Sequence, residues 1–128
     1  MLNKVMVVDD SLLMHRMYDI IFMRYKGVRV VHAREGHEAL NLLHANPDTD
    51  LIVLDINMPV MNGLEFLERL KSDRIYSDLP VIIVTTEDKE KEALRGMTSG
   101  ARGYVKKPFH PTSLHSLIEQ IFNFAASG

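Results

Sequence analysis

Four segments of this chain put acids, hydroxyls or amines directly behind short apolar runs. Asp9 and Asp10 follow Val5–Val8, and Asp55 follows Leu51–Leu54. Thr85 and Thr86 follow Val81–Val84, and Lys106-Lys107-Pro108 follow Tyr104-Val105. Polar residues often stand where an apolar element meets water, which accounts for one or two of these. It accounts poorly for three acids converging beside a lysine. Two carboxylates about 4 Å apart repel by roughly 4 kcal/mol at an effective dielectric of about 20. Such a group takes up protons or binds a cation. With oxygen donors and no cysteine in the chain, that cation is a hard one, Mg2+ before others. Mg2+ retains several waters and favours sites that also hold phosphate. Lys106 would supply a point charge for phosphoryl oxygens, and Thr85 a hydroxyl donor. The chemistry this fits is phosphoryl transfer, with Asp55 as the nucleophile.

The elements that must position these residues can be read from periodicity. Apolar runs at Val5–Val8, around Val30-Val31, at Leu51–Leu54, at Val81–Val84 and around Tyr104-Val105 are short, continuous and rich in β-branched residues. That pattern predicts strands buried on both faces. Between and after them come helix-period stripes: Leu13, Met17, Ile20 and Ile21; Leu40 and Leu43; Leu64, Leu67 and Leu70; Ala93, Leu94 and Met97; and finally Leu114, Leu117, Ile118, Ile121 and Phe122. A second line on the first helix, Met14, Tyr18 and Phe22, is expected to widen its buried face. Pro111 suits the first turn of the last helix, where its missing N–H would be unpaired anyway. Strands alternating with helices imply parallel pairing and right-handed crossovers. The expected fold is α/β, a doubly wound five-stranded parallel sheet in a three-layer (βα)5 sandwich. In such folds the ligand lies beyond the carboxyl ends of the strands, where the four polar segments fall.

Those segments resemble the receiver domain of two-component response regulators, over essentially the whole chain. They are Val7-Val8-Asp9-Asp10-Ser11, Asp55-Ile56-Asn57-Met58-Pro59-Val60-Met61-Asn62-Gly63, Val84-Thr85-Thr86, and Gly103-Tyr104-Val105-Lys106-Lys107-Pro108-Phe109. The resemblance implies a flavodoxin-like fold and a phosphoacceptor at Asp55, charged by a histidine kinase. It implies that Asp9, Asp10, Asp55 and the backbone carbonyl of Asn57 hold Mg2+, with Asp10 a direct ligand and Asp9 acting through water. Thr85 would hydrogen-bond the phosphoryl group, and Lys106 would pair with it. Tyr104 would be a switch whose ring turns inward on phosphorylation. The Lys107–Pro108 bond would be cis, aiming Lys106 into the site. Output would pass through a face made by the fourth helix, fifth strand and fifth helix. Asn57 and Glu87 resemble the tuning residues of chemotaxis-type receivers, so self-dephosphorylation is expected in seconds to minutes. Thr86 stands where many receivers carry a smaller residue, and would narrow the entrance. Gly63 and Pro59 would shape the loop before the third helix.

Composition sets the outer bounds. With 128 residues, 46% hydrophobic and 25% charged, the chain suits one globular domain, residues 1–128. No apolar run approaches a membrane span, so no membrane insertion is expected. A net charge of −2 argues against direct nucleic-acid binding. The absence of cysteine excludes a disulfide framework and a thiol nucleophile. A stand-alone, cytoplasmic receiver is the expected form, monomeric or dimerising on phosphorylation, a signalling switch and not an enzyme. Two other readings remain: an Mg2+-dependent phosphohydrolase, which would want an acid where Asn57 stands, and an unphosphorylated receiver-like binding module. The six histidines show no ligand spacing and read as surface or packing residues. Met14 and His15, one turn past the acidic pair, could instead help dock the kinase. The Glu87–Glu92 run, with its interleaved lysines, reads as a solvated helix face.

Overall fold

Five strands, β1 (Lys4–Val8), β2 (Arg29–Ala33), β3 (Leu51–Asp55), β4 (Val81–Thr86) and β5 (Gly103–Lys107), form one sheet in the order β2-β1-β3-β4-β5. Every neighbouring pair is parallel. Five helices connect and follow them: α1 (Leu12–Phe22), α2 (Gly36–Ala45), α3 (Gly63–Ser72), α4 (Glu90–Thr98) and α5 (Pro111–Ser127). The computed structural model describes residues 2–58 and 61–127, with side chains as far as 122. Pro59 lies outside the described residues.

Alternation along each strand sends side chains to two cores. Met6, Val8, Ile52, Leu54, Val81 and Ile83 pack with Leu43 of α2, Phe66, Leu67 and Leu70 of α3, and Ala93 of α4. Val5, Val7, Leu51, Val53, Ile82, Val84 and Val105 pack with Tyr18, Ile21 and Phe22 of α1, and Leu114 and Ile118 of α5. This is the expected doubly wound three-layer sandwich. From β1 the chain passes outward to β2, then returns to the other side of β1 as β3. The order therefore reverses at β1/β3, and a crevice opens beyond their carboxyl ends.

Two helices differ from the periodic reading. On α1, Leu13 and Ile20 are exposed, at 68% and 69%. The line through Met14, Tyr18 and Phe22 is the buried one, and it shares Ile21 with the other stripe. The two lines are similarly apolar, but the aromatic pair offers more area to remove from water. On α4, Leu94 points outward and the buried face is Ala93 and Gly96. That helix starts only at Glu90, after a single 3-10 turn at Glu87–Lys89. Pro111 opens α5 as expected.

Candidate functional site

At the end of β1, Asp9 is fully buried and tied down on every side. Its N–H donates to the Ala33 carbonyl at 3.0 Å. Its Oδ1 accepts from the Ser11 N–H at 2.8 Å, closing a tight turn out of the strand. Ser11 then caps α1 by accepting from the Met14 N–H. A strand, an acid turn and a capping serine thus place Asp9 inside and leave Asp10 exposed at the crevice mouth.

At the end of β3, Asp55 is 4% exposed, and its Oδ1 accepts from the Asn57 N–H at 3.0 Å. Asn57 itself is exposed, and the group it turns to the acid here is this N–H. The loop returns tightly: a Cβ on Gly63 would lie 2.6 Å from the Asp55 carbonyl oxygen and 2.5 Å from the Ile56 Cα. Only glycine lets α3 start so close to the strand end. Asp9, Asp10 and Asp55 then present carboxylate oxygens that all lie within 4.8 Å of one another.

The lysine of this cluster is Lys107, which corrects the expectation for Lys106. Lys107 Nζ donates to Asp9 Oδ2 at 3.0 Å and lies 3.5 Å from Asp55 Oδ2. Lys106 Nζ lies 3.6 Å from Glu90 at the start of α4, on the other face of the sheet. Strand alternation is the reason. Asp9, Asp55, Val105 and Lys107 follow the residues that face α1 and α5, whereas Tyr104 and Lys106 face α4. The Lys107–Pro108 bond is cis, as expected, but the lysine in the site is the one that forms it.

Thr85 lies one step past Val84, the register partner of Asp55, and is fully buried. Its hydroxyl donates to the Thr86 carbonyl at 3.1 Å, so here it is turned along the strand and not toward Asp55. Thr86 is half-buried, and its hydroxyl donates to Asp88. With Lys107, Met14, Met17, Pro108 and Phe109, Thr86 lines a cavity of about 370 Å3 beside the acids. Glu87 is exposed in the turn after β4. Tyr104 is half-buried, and its Oη donates to Glu90 Oε2 at 2.9 Å. That bond raises the phenol above its ordinary range. The acidic run is therefore not wholly solvated, since Glu90 holds both Tyr104 and Lys106.

Burial pushes the Asp55 carboxyl up from 3.8 to about 6, and the Asp9 charge adds to this. The Asn57 N–H and the Lys107 charge act the other way without overcoming it. Burial also raises the Tyr18 phenol, helped by the charges of Asp9 and Asp55. Its Oη has no hydrogen-bond partner among the described residues. Three close carboxylates against one ammonium leave an excess of negative charge that a hard divalent cation would neutralise. The donor set thus fits Mg2+.

One participant was not visible in the sequence. His15 is buried, with Nε2 at 2.6 Å from the Asp9 carbonyl and Nδ1 at 2.7 Å from His32 Nδ1. Of the surface and packing roles expected for the histidines, His15 thus has the packing one. Nothing in the residue spacing joins His15 to His32, because it is the packing of α1 beside β2 that brings them together.

Comparison with known proteins agrees with this geometry. Residues 5–119 match the family model described as the response regulator receiver domain. A chemotaxis protein CheY homolog of Campylobacter jejuni is 37% identical over 118 residues, 92% of this chain and 91% of that protein. The chemotaxis protein CheY1 of Helicobacter pylori is 36% identical, over 92% of this chain and 95% of that one. The solved structure of the chemotaxis response regulator CheY4 of Vibrio cholerae superposes with a TM-score of 0.83 at 32% identity. That match covers 95% of this chain and 100% of CheY4. The crevice beyond β1 and β3 is therefore the site of a receiver, and the chain belongs to the response regulator receiver domain family.

Proposed function

We propose that this receiver takes a phosphoryl group from a histidine kinase onto Asp55 and uses it to change what binds the face formed by α4, β5 and α5. The observation that carries this reading is Lys107, whose ammonium stands against both Asp9 and Asp55 inside the acid triad. In the transfer a carboxylate oxygen of Asp55 attacks phosphorus. The P–N bond to the donor's histidine breaks, and the imidazole leaves with a proton. Asp9, Asp10, Asp55 and the Asn57 carbonyl are the groups that would hold Mg2+, whose contribution is charge neutralisation on the phosphoryl oxygens. Lys107 takes the phosphoryl-pairing role first expected of Lys106. The Thr85 hydroxyl rotates from the Thr86 carbonyl to donate to the phosphoryl group. On the α4 face of β5, Tyr104 leaves Glu90 and turns inward. Asn57, Glu87 and Thr86 border the path of attacking water and set the lifetime of the acyl phosphate. No helix among the described residues is long and apolar enough to cross a membrane, which is compatible with a cytoplasmic protein.

The test is incubation with Mg2+ and acetyl phosphate, read by intact mass. The wild type gains one phosphoryl group, lost again in seconds to minutes after the donor is removed. Asp55→Asn gains none. A stable adduct lasting many hours would reject the tuning assignment, and labelling of Asp55→Asn would reject the acceptor.

A further inference from the structure

We infer that His15 is a positioning residue for the acidic pair, held in its working orientation by His32 and Asp19. The inference rests on the reading of Asp9 and Asp10 as the Mg2+-binding pair. Asp9 has four polar groups, and three are fixed by the turn, the sheet and Lys107: its N–H and its two carboxylate oxygens. The fourth, its carbonyl, belongs to the peptide plane that carries Asp10. His15 Nε2 lies 2.6 Å from that carbonyl oxygen. Asp10 is exposed, so this bond orients the acid that packing holds least.

The contact with the Asp9 carbonyl fixes one proton position. A carbonyl can only accept, so His15 Nε2 must carry the hydrogen. At the other side of the ring the His15 Nδ1 meets the His32 Nδ1 at 2.7 Å, where one nitrogen donates and the other accepts. The other side of His32 faces a carboxylate, with Nε2 at 2.8 Å from Asp19 Oδ1. The rings meet edge to face, with centroids 4.8 Å apart. In the opposite tautomer a nitrogen lone pair of His15 would face the Asp9 oxygen, and the loop would lose its tie. The arrangement repeats at a protein loop the logic by which outer residues orient metal ligands, where removing the orienting partner typically weakens the site. Its outer end is open to solvent, since Asp19 and His32 are 58% and 34% exposed at their side chains.

Three measurements on the full chain test this. Mg2+ alone is titrated against wild type, His15→Leu and His15→Gln, following the amide resonances of Asp10 and Asn57, with unfolding by urea measured in parallel. His15→Leu is expected to bind Mg2+ about 10–100-fold more weakly, and His15→Gln, whose amide can donate to the same carbonyl, within about threefold of wild type. Long-range 1H–15N spectra of the wild type are expected to place a proton on His15 Nε2. Wild-type affinity in His15→Leu would overturn the inference, as would equal weakening in both variants or the Nδ1–H tautomer at His15. If His15→Leu does not fold, the glutamine variant and the wild-type spectrum still decide. Failure of the wild type itself to bind Mg2+ would reject the reading of the acid pair, and this inference with it.

Discussion

Lys107 and Lys106 are neighbours with opposite surroundings, and that difference is measurable. Among the described residues Lys107 is the one cation paired with Asp9, which is wholly buried, and it also approaches Asp55. Removing one partner of a buried pair leaves the other uncompensated. Lys107→Met is expected to cost roughly 2–4 kcal/mol at neutral pH without Mg2+, slightly below the range for fully buried pairs because this ammonium is partly wet. Lys106 pairs with Glu90 near the surface, where an ion pair contributes little. Lys106→Met should stay within about 0.5 kcal/mol of wild type. Urea unfolding of the two variants compares them directly. Similar losses in both would mean that the ammonium at 107 is not bound to the acids in solution. The same pair should separate in phosphorylation, with Lys106→Met labelled by acetyl phosphate and Lys107→Met poorly labelled.

Between elements, the informative contact is the one from α4 to β5. Glu90 opens α4 and accepts from Tyr104 of β5. Because an anionic acceptor stabilises the protonated phenol, Tyr104 should titrate at lower pH in Glu90→Ala than in wild type. An NMR titration of the labelled Tyr104 ring reads this, and an unmoved midpoint would mean that the tyrosine is not held outward. Glu90 also shows where the sequence is legible and where it is not. The five strands are plain in it, because strands buried on both faces need unbroken apolar runs. Asp9, Asp10, Asp55 and Thr85 follow those runs and could be placed from them. The choice between Lys106 and Lys107 turns on the parity of one strand, which the motif alone leaves open until Val105 is seen to pack with α1 and α5. The stripe on α1 is ambiguous in the sequence for a similar reason, since two adjacent lines are similarly apolar and only packing selects the aromatic one. The ties from Glu90 to Tyr104 and from His15 to His32 join separate elements, and no local pattern encodes them.

Across the whole molecule, the site sets a balance between proton, metal and fold. Burial lifts the Asp55 carboxyl from its ordinary 3.8 to about 6 in the folded chain. Between those values the folded state holds a proton that the unfolded state has released, so stability without metal falls as pH rises through this window. The shift caps the loss at about 3 kcal/mol, with water at the crevice reducing it. Asp55→Asn has no such proton to lose. The variant should therefore match the wild type at pH about 4 and exceed it by about 1–3 kcal/mol at pH about 7.5, so that comparing the two chains cancels every other titrating group. Mg2+ acts in the opposite direction. Held by the ionised acids of the folded chain, at a hundred times its dissociation constant it would add about 2.7 kcal/mol. Protons compete for the same oxygens, so this gain grows with pH. In saturating Mg2+ the wild type should thus hold its stability nearly level across the interval in which the metal-free protein weakens, while Asp55→Asn gains less. Urea unfolding of both chains, with and without Mg2+, at several pH values resolves the four curves. A wild-type-to-variant difference that stays constant with pH would show that Asp55 is not ionising in a buried, cation-seeking site.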